Sequence, residues 1–123
     1  MAQSSGSCQI STANTNRDGT GAGFGDILTA LTGGGGMICQ RLDLIAVGAT
    51  TAGMIRIFTY DGTNRRLYGE VPVTAVPTPG ATTQVWSGYF NFPPNFSIAA
   101  GWKIQIATHN AETFNGYGTG FNT

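Results

Sequence analysis

The chain has 123 residues, enough for one domain, and only 10% of them are charged, against about 25% in an average globular protein. Six basic and six acidic residues give a net charge of zero, and no basic cluster is present that would neutralise a nucleic-acid backbone. No apolar run approaches the ~20 residues of a membrane helix, and the N-terminus lacks the basic start and apolar stretch of a secretory signal, so we expect synthesis in the cytoplasm.

The low charge has two compatible interpretations. Abundant threonine and 19 glycines are typical of an uncharged β domain with many turns. A net charge near zero also favours association, so the surface is one that neighbouring molecules could cover.

The N-terminal part of the chain predicts a flexible arm followed by one folded domain. Residues 1–9 are small and polar, which favours an arm, and residues 10–123 form a single β-sandwich domain. Residues 26–32 allow two interpretations. Asp26 is suited to capping a short helix, but two threonines and the short length favour a strand, which the glycine run 33–36 ends.

The strongest local signal is a β-hairpin in the middle of the chain. Residues 54–60 and 65–73 alternate in polarity, and Asp61 and Gly62 between them tolerate the positive φ of a tight turn. Arg56 and Glu70 could pair across it, but an exposed ion pair contributes only about 0–1 kcal/mol.

Alternation also marks the C-terminal strands. Trp86, Phe90 and Phe92 share one face and are better explained as core than as a platform for a sugar or base. The predicted strands are residues 9–14, 26–32, 37–47, 54–60, 65–73, 83–92, 102–108 and 112–120. An all-β fold follows, an eight-stranded antiparallel sandwich or barrel, jelly-roll-like.

Residues suited to chemistry are few, and we assign no catalytic, cofactor-binding or metal-binding residue. His109 and Glu112 could act as a base and its orienter, but a surface loop histidine is the simpler interpretation. Cys8 and Cys39 with one distant histidine do not make a zinc site, and reduced thiols are favoured over a disulfide.

Candidate contact residues lie on the hairpin and at the end of the arm. Tyr60 and Tyr68 lie opposite the aliphatic face of the hairpin, and tyrosine offers contact area with a polar tip. With Arg66 beside them, and with Gln9 and Ile10 at the arm, they are the predicted partner interface.

Five segments, which together span most of the chain in order, form a recognisable pattern. They are residues 10–21 (ISTANTNRDGTG), 50–58 (TTAGMIRIF), 60–64 (YDGTN), 70–74 (EVPVT) and 108–115 (THNAETFN). These segments resemble a group of small virion proteins of tailed phages, which includes capsid decoration, or cement, proteins with jelly-roll-like folds. The glycine run 33–36 and both cysteines depart from the pattern of that group.

The resemblance implies a protein that binds the outer surface of an icosahedral capsid and stabilises the shell by bridging major capsid subunits. Its implied partners are the major capsid protein and itself, as a dimer or trimer, with no nucleic acid and no membrane. It would be assembled in the host cytoplasm and located on the virion surface. The alternative is a tail or fibre-associated virion module that binds a host glycan, marked by an exposed aromatic shelf with Asn and Asp around it.

Overall fold

A computed structural model of the chain describes residues 2–123, which form nine β-strands and no helix. The described residues therefore include no helix long and apolar enough to cross a membrane. The strands are β1 (Ala2–Ile10), β2 (Gly25–Thr29), β3 (Met37–Ala46), β4 (Gly53–Tyr60), β5 (Arg65–Val73), β6 (Ser87–Asn91), β7 (Ser97–Ile98), β8 (Lys103–Thr108) and β9 (Phe114–Asn122).

The strands form two antiparallel sheets, which confirms the prediction of an all-β fold. The five-stranded sheet has the order β1-β9-β3-β6, with β7 paired to one end of β3, and the four-stranded sheet has the order β2-β8-β4-β5. The inner faces enclose one continuous apolar core, as in a β-sandwich. Fully buried core side chains come from both sheets and include Leu42, Leu44, Ile55, Ile57, Ile104, Ile106 and Phe114.

The N-terminal segment is a strand rather than the flexible arm that the sequence predicts. Residues 2–10 pair with β9 along their whole length, from Ala2 opposite Asn122 to Ile10 opposite Phe114. Met1 lies outside the described residues. Main-chain pairing needs no apolar side chain, so the polar composition of this segment gave no sign of the ladder it forms.

The last predicted strand, over 112–120, is present as β9, and it contains three glycines. Gly116, Gly118 and Gly120 are all buried, and side chains added at Gly116 and Gly118 would collide with the opposite sheet. A Cβ on Gly118 would lie 2.8 Å from Cγ of Leu28, and one on Gly116 would lie 2.8 Å from Cδ1 of Ile27. The glycines therefore let β2 approach β9 closely.

The predicted strands over 26–32, 37–47, 54–60 and 65–73 are all present, and the ambiguous first of them is the strand β2. The predicted strand over 83–92 is shorter, because residues before it hydrogen-bond locally. Gly80 and Thr83 exchange two main-chain hydrogen bonds, at 3.0 and 3.3 Å, and so form a turn. Within residues 83–92, only Ser87–Asn91 forms a strand, β6, which pairs with β3.

Residues 11–24, which we call the strap, cover the outer face of the four-stranded sheet. Asn14 organises the strap, since its Nδ2 donates to the carbonyl oxygens of Thr20 and Ala22 at 3.1 and 3.0 Å. The Asn14 main-chain N–H donates to the carbonyl of Thr108 at 2.8 Å, which fastens the strap to the end of β8. The strand predicted over residues 9–14 is therefore wrong beyond Ile10, because residues 11–14 belong to the strap and form only an isolated bridge, between Ala13 and Thr108.

Under the strap lie side chains that alternation alone would leave in solvent. Phe58 is 0% exposed and Arg56 is 3% exposed, although both point away from the inter-sheet core. The ring of Phe24 meets that of Phe58 edge to face, with centroids 5.3 Å apart. The Arg56–Glu70 pair forms at 2.9 Å, and Arg17 of the strap joins Glu70 at 2.7 Å. Since Arg56 is buried and Glu70 is half-buried, this ion pair is partly buried rather than exposed.

Candidate contact surface

The outer face of the five-stranded sheet carries a row of two tyrosines around a carboxylate. In the ladder, Tyr117 of β9 lies opposite Asp43 of β3, which in turn lies opposite Tyr89 of β6. Two strand spacings of about 4.8 Å separate the tyrosine backbones by roughly 10 Å. We call the surface formed by Arg41, Asp43, Ile45, Tyr89 and Tyr117 the tyrosine face.

The tyrosine face concentrates the exposed apolar area of the protein. Tyr89 is 56% exposed, Tyr117 is 51% exposed and Ile45 is 39% exposed. With Val47, just beyond β3, they are four of the six large apolar side chains that the described residues leave exposed. Contiguous exposed apolar area on a soluble domain marks an interaction surface.

The two charged side chains of this face, Arg41 and Asp43, neutralise each other and are fixed by contacts within the face. The Nε of Arg41 donates to Oδ1 of Asp43 at 2.9 Å, and its guanidinium lies 4.4 Å from the centre of the Tyr89 ring. At an exposed site a cation–π contact of this kind contributes about 0.5–1 kcal/mol. The pair adds no net charge, so the face does not repel a second neutral surface.

A shallow groove of about 670 Å³ is lined by the residues of the tyrosine face and also by Val71 of β5, in the four-stranded sheet. Ser87 and Gly88 of β6 also line it, and a side chain on Gly88 would collide with the Trp86 ring at 2.7 Å. The volume is typical of ligand-sized pockets, and the lining is mainly apolar with a few polar groups, as such pockets require.

Two of the predicted contact residues, Gln9 and Ile10, lie at the end of β1. Gln9 is exposed, and its Nε2 donates to Oδ1 of Asn115 at 2.9 Å. Gln9 and Asn115 are in register with Ile45, so Gln9 borders the tyrosine face. The prediction for Ile10 is wrong, because this side chain is 3% exposed and belongs to the core.

The predicted hairpin residues do not form one exposed surface. Tyr60 is half-buried and donates its hydroxyl to the carbonyl of Gly62 at 2.9 Å. Tyr68 is half-buried in an aromatic cluster, 4.4 Å from the Phe96 ring. Arg66 is exposed and lies 3.5 Å from Asp61.

Tyr89 and Tyr117 were not among the contact residues predicted from the sequence, although alternation carried the signal for the outward direction of both. Because Trp86 and Phe92 face the core, the odd-numbered Tyr89 must face outward. Likewise the inward glycines of β9 force Tyr117 outward.

The structure gives His109 and Glu112 different partners. Nδ1 of His109 lies 3.2 Å from Nη1 of Arg56, and since a guanidinium only donates, Nδ1 is the acceptor. Glu112 Oε2 accepts from the main-chain N–H and the hydroxyl of Thr51, both at 2.8 Å, while Oε1 is buried and unpartnered among the described residues. Both side chains thus hold neighbouring segments together. Residues 2–123 contain no group of three His, Cys, Asp or Glu side chains that could hold a metal ion.

Both cysteines are free thiols. Burial, with a smaller contribution from the Asp26 charge, raises the pKa of Cys8 to about 11. Burial raises the pKa of Cys39 to about 12. Neither thiol is therefore an activated nucleophile at neutral pH.

The sequence was compared with models of known protein families and with curated proteins, and neither comparison gives a match. No family membership is established by these comparisons. The candidate contact surface is therefore argued from its geometry alone.

Proposed function

We propose that this chain is a phage capsid decoration protein, which binds the outer surface of the shell and stabilises it by bridging major capsid subunits. The observation that carries the proposal is the tyrosine face, a neutral contact surface with two exposed aromatic anchors on a paired sheet. Tyrosine and arginine are enriched at protein interfaces, and truncating a central anchor costs about 2 kcal/mol or more.

We further propose that the fold is a jelly roll. Four nested antiparallel pairs support this assignment: β1 with β9, β2 with β8, β3 with β6, and β4 with β5. Such nesting is what results when one long hairpin is rolled up into two four-stranded layers. Viral capsid proteins commonly use this architecture, which agrees with the proposed location on a virion.

A decoration protein has to stabilise a large repeating lattice, and the surface chemistry suits that task. Each copy needs only modest affinity, because many copies act together and bridging contacts gain from effective concentration. The Arg41–Asp43 pair supplies hydrogen-bonding groups without net charge, so the face does not repel the capsid surface through a charge of its own. Both tyrosines lie on paired strands, so little conformational entropy is lost on binding.

Co-sedimentation with expanded, DNA-free capsids of the phage that encodes the chain tests the proposal. We expect saturable binding, with a Kd raised about 30-fold or more by Tyr117→Ala, which corresponds to the ~2 kcal/mol of an anchor residue. The matched control is Leu31→Ala, which removes a 61% exposed apolar side chain from a loop outside the tyrosine face. A wild-type protein that stays in the supernatant refutes the function, and equal binding by Tyr117→Ala refutes the assignment of the face.

A second candidate function is host-glycan binding by a tail or fibre-associated virion module. The observation that favours it is again the cross-strand row of the tyrosine face, in which Asp43 lies between two exposed tyrosines. Asn91 and Asn115 lie in the two adjacent rows, opposite Arg41 and Ile45. Aromatic faces with nearby carboxylate and amide groups suit a sugar, whose ring is apolar and whose hydroxyls need partners. A glycan-array signal that Tyr117→Ala abolishes, together with no capsid binding, would favour this function over decoration.

A further inference from the structure

Strand β1 has one edge without a neighbour. It is the terminal strand of the five-stranded sheet, and within residues 2–123 it pairs with β9 alone, over nine residues. Among the described residues, no main-chain hydrogen bond joins β1 to any loop on its other side. A row of main-chain N–H and C=O groups is thus available along this edge, and such a row is a template for another strand.

The other three sheet edges carry features that discourage strand addition. Strand β5 contains Pro72 and the charged residues Arg65, Arg66 and Glu70. Strand β2 has only five residues and a register shift between Asp26 and Leu28. Strand β6 also has five residues and is closely followed by two prolines. Short strands, bulges, charges and prolines are the usual protection of an edge.

Strand β1 has none of these features. Its sequence, AQSSGSCQI, contains no charged residue and no proline, and its ladder with β9 has no register shift over nine residues. It is the long, regular and unguarded edge of this domain. A soluble protein with such an edge is prone to pair through it.

We propose that β1 pairs antiparallel with β1 of a second copy, around a two-fold axis, to join the two five-stranded sheets into one. A free strand edge pairs with another extended strand that also has a free edge. In this chain β1 is the long edge strand without a charge or a proline, so β1 of a second copy is the partner that fits. The side chains that would face each other are small or polar and neutral, at Gln3, Ser5, Ser7 and Gln9. An isologous contact of this kind closes as a dimer and leaves no further edge of the same type.

The dimer would extend the proposed decoration function. Its biological purpose rests on that function, whereas the pairing of β1 with β1 does not. In antiparallel edge pairing the two-fold axis is perpendicular to the sheet, so both tyrosine faces point to the same side. The dimer would present two copies of the face to one surface. Bivalent engagement can raise overall affinity by about 10²–10⁴ when both sites are reached together.

Proline substitution at adjacent positions tests the edge. Neighbouring residues of a strand direct their N–H groups to opposite sides, so of Ser4→Pro and Ser5→Pro one removes a donor from the free edge and the other removes a donor to β9. Light scattering coupled to size exclusion should give a dimer mass for wild type. We expect one proline variant to be monomeric with an unchanged Tm, and the other to have a lower Tm. A monomeric wild type at high micromolar concentration, or two dimeric proline variants, overturns the proposal.

Cross-linking provides a second readout that does not depend on proline. In a Cys8→Ser background, cysteine replaces Gln3, Ser5, Ser7 or Gln9 singly, and the four variants are oxidised alone and in every pairwise mixture. A two-fold β1–β1 ladder predicts disulfides only for pairs whose residue numbers add up to one constant. Cross-linking of all mixtures alike, or of none, contradicts the ladder.

The two proposals fail separately. If the monomeric proline variant still sediments with capsids, but with weaker apparent affinity, both the decoration function and the bivalent dimer are supported. If the dimer forms but no capsid binding occurs, the edge pairing stands and the decoration function falls.

Discussion

Replacing Phe58 with alanine should lower the free energy of unfolding by about 3–5 kcal/mol, the range for a buried aromatic side chain. Phe58 is 0% exposed, yet it lies outside the inter-sheet core and is covered by the strap. Its removal would leave the Phe24 ring without its edge-to-face partner, and the strap would have no apolar side chain to cover at that point. For a domain of about 120 residues the loss corresponds to a Tm lower by about 12–20 °C.

Thermal and urea unfolding followed by circular dichroism measure this change. The matched control is Tyr117→Ala, which removes an aromatic ring that also points away from the core but is 51% exposed. Substitutions at exposed positions usually change stability by only about 0.5 kcal/mol. Equal, small effects of the two substitutions would mean that the strap does not shield Phe58, and the interpretation of residues 11–24 as a structural cover would be wrong.

Three further predictions concern other parts of the fold. Gly6→Ala should destabilise the protein markedly, because its Cβ would collide with the carbonyl oxygen of Ile27, whereas Gly80→Ala meets no atom and should leave the urea midpoint unchanged. Burial raises the pKa of Asp26, but hydrogen bonds from Lys103 and Gln105 outweigh it and leave that pKa below its ordinary value. Hence the stability advantage of wild type over Asp26→Asn should be present above about pH 4 and disappear on further acidification, as pH-dependent urea unfolding would show, and a constant difference would contradict the ion pair. At pH 8 iodoacetamide should leave both thiols of the folded chain unmodified and alkylate both in urea, as mass spectrometry would detect, and rapid native labelling would contradict their burial.

Local patterning determined most of the strands. Alternation identified β3, β4 and β5, and the Asp61-Gly62 turn identified the hairpin, because these signals depend only on neighbouring residues. Alternation also indicated the outward direction of Tyr89 and Tyr117, whereas the contact residues predicted from the sequence included the hairpin tyrosines Tyr60 and Tyr68, which are half-buried. The function and the partners stay predictions, since no comparison tests them.

What only the tertiary structure decided is how distant segments cover and pair with one another. Residues 2–10 became a strand because β9, more than 100 residues away, offers a full-length edge, and main-chain hydrogen bonds leave little trace in side-chain composition. Phe58 became buried because the strap crosses its face of the sheet, which no periodicity within β4 encodes. The sequence thus determined where strands form and which faces are apolar. Long-range packing decided which faces stay exposed, and the tyrosine face and the free edge of β1 follow from that choice.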